Sequence, residues 1–115
     1  MEYGRPGHVG SGMTTIVHFE IQLDPAKLAD ASEILSETLA ATRAWPGNEG
    51  LEVLVSDDDP ANMIVVEKWA STIDHTRYVE WRATPEGGGG RIRELLAAPP
   101  TTRVFSEQLP LTLAE

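Results

Sequence analysis

From Thr14 to Leu23 apolar and polar positions alternate. Thr15, Val17, Phe19, Ile21 and Leu23 fall on one side; Ile16, His18, Glu20 and Gln22 fall on the other. A period of two predicts a strand whose first set meets a core. The second set, polar after Ile16, faces solvent or a polar cavity. The period then changes to that of a helix. Asp24 stands as N-cap and Pro25 at the first turn, where a missing N–H is no loss. Leu28, Ala31, Leu35, Leu39 and Thr42 form one stripe, with Ile34 and Thr38 beside it, and Pro46-Gly47 closes the helix after Ala44.

Gly50 to Ser56 and Met63 to Trp69 are the second and third strands, joined through Asp57-Asp58-Asp59-Pro60-Ala61-Asn62, a turn by composition. On the third strand Met63, Val65, Glu67 and Trp69 share one face and Ile64, Val66 and Lys68 the other. Both faces are partly apolar, which predicts a central strand. Ser71 or Thr72 caps a second helix on which His75, Tyr78, Val79 and Arg82 share a face, with Trp81 flanking it. Pro85 ends that helix. Gly87 to Gly90 is too costly in entropy for a helix and lacks the strand and lysine of a phosphate loop, so it reads as a mobile segment at the mouth of whatever the second helix borders. Arg91 to Ala98 predicts a short helix, and Thr101 to Glu107 a fourth strand. The sequence thus divides into a leader (1–13), a βαββαβ domain (14–107) and a tail (108–115). Leu109, Leu111 and Leu113 keep period two in the tail, which suits a segment crossing to a second subunit. Helices on one face of a mostly antiparallel sheet predict a ferredoxin-like α+β domain.

Composition narrows the function. The formal charge is −9, from 18 acidic and 9 basic residues. That argues against nucleic acid or an anionic membrane surface, both of which need concentrated Lys and Arg. Cysteine is absent, so disulfides, thiolate nucleophiles and zinc-thiolate sites are excluded. The start has no signal-peptide pattern and no apolar run is long enough to span a membrane, which makes a cytoplasmic protein the default expectation. A chain of 115 residues has a modest core, and pairing into a homodimer is the expected supplement.

Pro46-Gly47-Asn48-Glu49-Gly50, the hairpin after it, and then Glu67-Lys68-Trp69-Ala70-Ser71 followed by His75 together resemble the antibiotic-biosynthesis monooxygenase family of dimeric α+β barrels. The resemblance covers Thr14 to Glu107. It implies a ferredoxin-like domain closing into a dimeric α+β barrel, on a scaffold shared by cofactor-free oxygenases of phenols and quinols and by haem-degrading enzymes. Trp69 matches the tryptophan that lines the oxygenase pocket. Asn62 lies near the place where polyketide-modifying members put a polar pocket residue. Haem-degrading members carry an Asn on the first strand and an axial His on the second helix. Here the first strand offers His18, and His75 comes early in its helix.

The resemblance therefore implies a cofactor-independent monooxygenase that oxidises an aromatic polyketide or quinol-type substrate with O₂. That chemistry needs a base near neutral pKa, for which His75 and His18 are the candidates, and Asn62 joins them as a catalytic polar group. It needs flat walls, for which Trp69, Tyr78 and Trp81 are the candidates. It also needs a donor for developing negative charge, which Arg82, Asn62 or Tyr78 supplies. No metal or organic cofactor is called for. Two competing readings stand beside it: a haem-binding or haem-degrading enzyme, and a non-catalytic small-molecule-binding or structural dimer.

Overall fold

A computed structural model describes residues 14–88 and 90–114. The leader, with His8, lies outside the described residues. The regular elements are β1 (Thr15–Gln22), α1 (Leu28–Ala44), β2 (Asn48–Val55), β3 (Asn62–Trp69), α2 (Thr72–Arg82), α3 (Gly90–Arg93) and β4 (Thr101–Phe105). The strands form one antiparallel sheet in the order β2-β3-β1-β4. Element order and strand order are those of a ferredoxin-like domain.

The barrel implied by the family resemblance is not what the sheet forms. Among the described residues the sheet is open, with β2 and β4 as its two edges and no pairing between them. Three strand spacings, about 14 Å, separate those edges. Four strands are too few to close on themselves, because closure needs more strands at a steep tilt. The resemblance holds for the order of the elements and fails for the closed architecture.

Local chemistry explains the boundaries. Asp24 does cap, but it caps a 3₁₀ turn, Pro25–Lys27, by accepting from the Ala26 N–H at 3.0 Å; α1 follows directly. Ser71 caps α2, its hydroxyl accepting from the Asp74 N–H at 3.2 Å. The helix expected over Arg91 to Ala98 stops after one turn. Its following residues bond to the end of β1 and the residues just after it instead: the Asp24 N–H donates to the Leu95 carbonyl, and the Ala97 N–H to the Gln22 carbonyl.

The alternation of β1 comes out as read, with Thr15, Val17, Ile21 and Leu23 fully buried. Two clusters fill the space between sheet and helices. One joins Ile21, Leu23, Ala31, Leu35, Ala61, Ile92 and Leu95 under α1. The other joins Val17, Trp69 and Tyr78 under α2, with Trp45 and Trp81 against it. Residues 106–114 carry no regular structure, and Leu109, Leu111 and Leu113 are exposed. No helix among the described residues is long and apolar enough to cross a membrane.

Candidate functional site

The aromatic cluster under α2 floors a cleft of about 270 Å³ between the helix side of the sheet and α2. Val17, Phe19, Val79, Ala83 and Pro100 give it apolar walls. Glu67, His75, Tyr78, Arg82, Arg93 and Thr102 supply its polar groups. The four α2 residues spaced three, four and seven apart, His75, Tyr78, Val79 and Arg82, all border it. That follows from helical spacing once α2 is set across β1 and β3.

Glu67 is the carboxylate of the cleft. It occupies a core-facing position of β3 and is only 4% exposed. Its Oε1 accepts the indole N–H of Trp69 at 2.9 Å. Burial pushes its carboxyl above the usual range, opposed by that hydrogen bond and by the Arg82 charge. His75, on the first turns of α2, is 7% exposed, and burial holds its imidazole below the usual histidine value. At neutral pH it is therefore an uncharged ring able to take a proton.

Tyr78 and Arg82 have other duties. The Tyr78 hydroxyl meets Thr42 Oγ1 at 2.5 Å and accepts from Arg82 Nε at 2.8 Å. Arg82 also donates from Nη1 to the Gly87 carbonyl and from Nη2 to the Thr38 carbonyl, each at 2.6 Å. Tyr78 thus shows the cleft its ring while its hydroxyl is engaged with α1. Arg82 clamps α2 to α1 and to the turn after it. The glycine segment is held where it begins: Gly87 is buried in a 3₁₀ turn with its carbonyl bound by Arg82.

The remaining sequence candidates lie elsewhere. Trp69 is fully buried beneath the cleft and packs its ring 5.5 Å from that of His75 and 5.2 Å from that of Tyr78. It supports the site through Glu67 and does not border the cavity. Trp81 stacks on Trp45 at 4.8 Å, outside the cleft. His18 and Asn62 are on the opposite face of the sheet. His18 packs against Phe105 at 5.2 Å, and Asn62 Nδ2 donates to Glu20 and Gln22 at 3.1 Å. One sheet thickness separates them from His75, so the two histidines do not share a cavity. Glu67 and Arg93 were not singled out from the sequence as site residues. For Glu67 a signal existed, since it is the one charged residue on the buried alternation Met63, Val65, Glu67, Trp69. Arg93 gave none, because its place depends on how α3 packs. Among the described residues no three His, Cys, Asp or Glu side chains stand close enough to share a metal ion.

A family model described as antibiotic biosynthesis monooxygenase matches residues 14–86. No curated protein matches the sequence. Among solved structures, a conserved protein from Methanosarcina mazei superposes with a TM-score of 0.71 at 12% identity, covering 84% of this chain and 94% of its own. A Mycobacterium tuberculosis protein gives 0.65 at 22% identity, over 89% of this chain and 99% of its own. A proposed antibiotic biosynthesis monooxygenase of Bordetella bronchiseptica gives 0.70 at 18% identity, over 84% and 99%. At these identities the likeness is one of fold.

Proposed function

The chain belongs to the antibiotic biosynthesis monooxygenase family, and from that premise we propose that it oxidises a small phenolic or quinol-type aromatic with O₂, with His75 as the base. One observation carries this reading: an uncharged, buried imidazole borders an apolar cleft walled by an aromatic ring. The steps balance without an added cofactor. His75 takes a proton from an activated C–H flanked by aromatic rings, leaving a carbanion delocalised over the ring system. One electron passes from the carbanion to O₂, and the resulting pair combines at carbon as a peroxide anion. His75 returns its proton to the peroxide oxygen, and loss of the remaining C–H proton together with hydroxide leaves a carbonyl and one water. The substrate CH₂ is oxidised by four electrons and O₂ is reduced by four. Charge separation in a dry cleft is costly, and spreading the anion over the ring system keeps that cost down.

Glu67 stands at the base of the same cleft, its Oε1 held by the Trp69 indole N–H. Tyr78 and Phe19 give flat walls against which the ring system packs. Arg82 acts through Tyr78, fixing the angle of its ring. We also take the chain to pair into a homodimer through its leucine-bearing tail, since three apolar side chains in period two are otherwise left in water. The test of the activity is oxygen uptake with an anthrone, which carries the ring-flanked CH₂ that the steps oxidise. Uptake that falls to background in His75→Gln supports the reading; no uptake above the uncatalysed rate with any phenolic substrate overturns it.

A further inference from the structure

The cleft opens onto a second, wider hollow of about 540 Å³, and the two share Arg82, Ala83 and Arg93 as their common border. Arg82, Arg91 and Arg93, three of the nine basic residues of the chain, line this outer hollow. On a molecule with a formal charge of −9 that is a local inversion of sign. Two of the three are occupied. Arg82 spends its guanidinium on Tyr78, Gly87 and Thr38. Arg91 is ion-paired with Glu37. Arg93 forms no ion pair or side-chain hydrogen bond among the described residues, although Glu94 borders the same hollow.

From this arrangement we propose that the aromatic occupant of the cleft carries a carboxylate, and that Arg93 binds that carboxylate at the mouth. The direction of entry follows from charge. Glu67 and apolar walls close the inner end, so a carboxylate that went in first would shed its water against an acidic side chain. The apolar ring system enters toward Phe19 and Tyr78, and the anionic end stays in the outer hollow, where a guanidinium fork matches it in shape and charge. This inference rests on the proposed oxygenase reading for the identity of the occupant as an aromatic. It is separable in measurement, because it concerns equilibrium binding and needs no turnover.

The probes are 2-naphthoate and its neutral isostere 2-naphthamide, titrated calorimetrically into the wild-type chain, Arg93→Gln and Arg91→Gln. Arg93 is exposed, so its exchange leaves the fold intact, which circular dichroism checks. Naphthoate is expected to bind the wild type about tenfold more tightly than the amide, as a charge-assisted pair implies. In Arg93→Gln that preference disappears while amide binding is unchanged; in Arg91→Gln it persists. Equal binding of acid and amide by the wild type, a preference that survives Arg93→Gln, or binding of neither probe overturns the proposal. Oxygen uptake with a neutral anthrone is measured in parallel. Uptake without anion preference removes the clamp and leaves the oxygenase standing, and preference without uptake does the reverse.

Discussion

Trp69 and Glu67, two residues apart on the core-facing side of β3, are joined by an indole N–H to carboxylate hydrogen bond of 2.9 Å. Both side chains are buried, at 0% and 4% exposure. A buried acceptor deprived of its donor bears its full desolvation cost, so Trp69→Phe destabilises the fold by more than the lost ring area alone. The hydrogen-bond part is about 1–3 kcal/mol, on top of the packing loss. In Glu67→Gln the amide oxygen still accepts from Trp69, and the change is milder. Urea unfolding of both single variants and the double variant isolates the coupling. A coupling near zero removes the pairing as a stabilising contact.

The same carboxyl sets a pH dependence. Burial raises the Glu67 pKa above its unfolded value, so between the two values the folded state holds the extra proton. Stability contributed by this group is therefore lost as pH rises from the unfolded carboxylate range through the raised folded value. Glu67→Gln lacks that loss. Its stability relative to wild type improves as pH climbs through this window and then levels off, which thermal melts across mildly acidic buffers will show.

His75 runs the opposite way. Its folded pKa is lowered by burial, so the unfolded chain binds the proton more readily. The stability contribution is fully present above the unfolded histidine value and is lost as pH falls through the depressed folded value. As a base, the same ring remains uncharged below the ordinary histidine midpoint, and the oxygen-uptake rate holds to lower pH than a free imidazole allows. Replacing it with Gln lowers the rate by roughly 10²–10⁴, the usual worth of a positioned base. A wild-type rate that falls off already at the ordinary histidine midpoint would count against His75.

How far the sequence discloses all this depends on the range of each interaction. The alternation in β1 and β3 and the cap at Ser71 are set by neighbours along the chain, and both are legible there. Helical spacing alone puts His75, Tyr78, Val79 and Arg82 on one side, and all four border the cleft. What escaped is what the third dimension decides. His18 and His75 are equally plausible bases on paper, but strand register turns one away from the helices and α2 packing turns the other inward. Arg82 reads as a donor for developing negative charge, and only the approach of Thr38 and Gly87, distant from or beyond the helix, commits it elsewhere. Closure of the sheet is a property of strand count and pairing, which the alternation along single strands does not determine.

Because the Tyr78 hydroxyl is held by Thr42 and Arg82, its contribution is expected to be structural. Tyr78→Phe keeps the ring that faces the cleft and leaves one guanidinium N–H without its acceptor. It costs about 1–3 kcal/mol of stability, seen as a lower urea midpoint. Oxygen uptake per folded molecule stays within a few-fold of wild type, in contrast to His75→Gln. A loss of rate as large as that of the histidine variant reassigns the phenol to the chemistry.

The tail offers a test of assembly. Leu109, Leu111 and Leu113 are 73%, 67% and 77% exposed, and fully burying one such side chain is worth about 1.5–3 kcal/mol. If the proposed pairing uses them, removing residues 108–115 shifts the chain from dimer to monomer in sedimentation equilibrium while its circular dichroism is retained. An unchanged mass distribution between full-length and shortened chains removes the tail from the interface.

Two adjacent glycines are needed for different reasons, and substitution separates them. A Cβ on Gly87 would run into the backbone of α2, with the Arg82 Cα at 2.7 Å and the Trp81 carbonyl closer still. Neither is the yielding end of a side chain, so the turn must move and the Arg82 bond to the Gly87 carbonyl must stretch. Gly88 has open space around it but holds a φ of +62°, where a side chain costs roughly 1–2 kcal/mol. Gly87→Ala is therefore expected to lower the melting temperature more than Gly88→Ala and to weaken naphthamide binding, because the Arg82–Tyr78 side of the cleft shifts with it. Gly88→Ala loses only stability. Gly88→Asn, better tolerated in the left-handed region, recovers part of that loss. Equal melting temperatures for the two alanine variants, with unaltered probe binding, would mean that close packing at Gly87 does not shape the cleft.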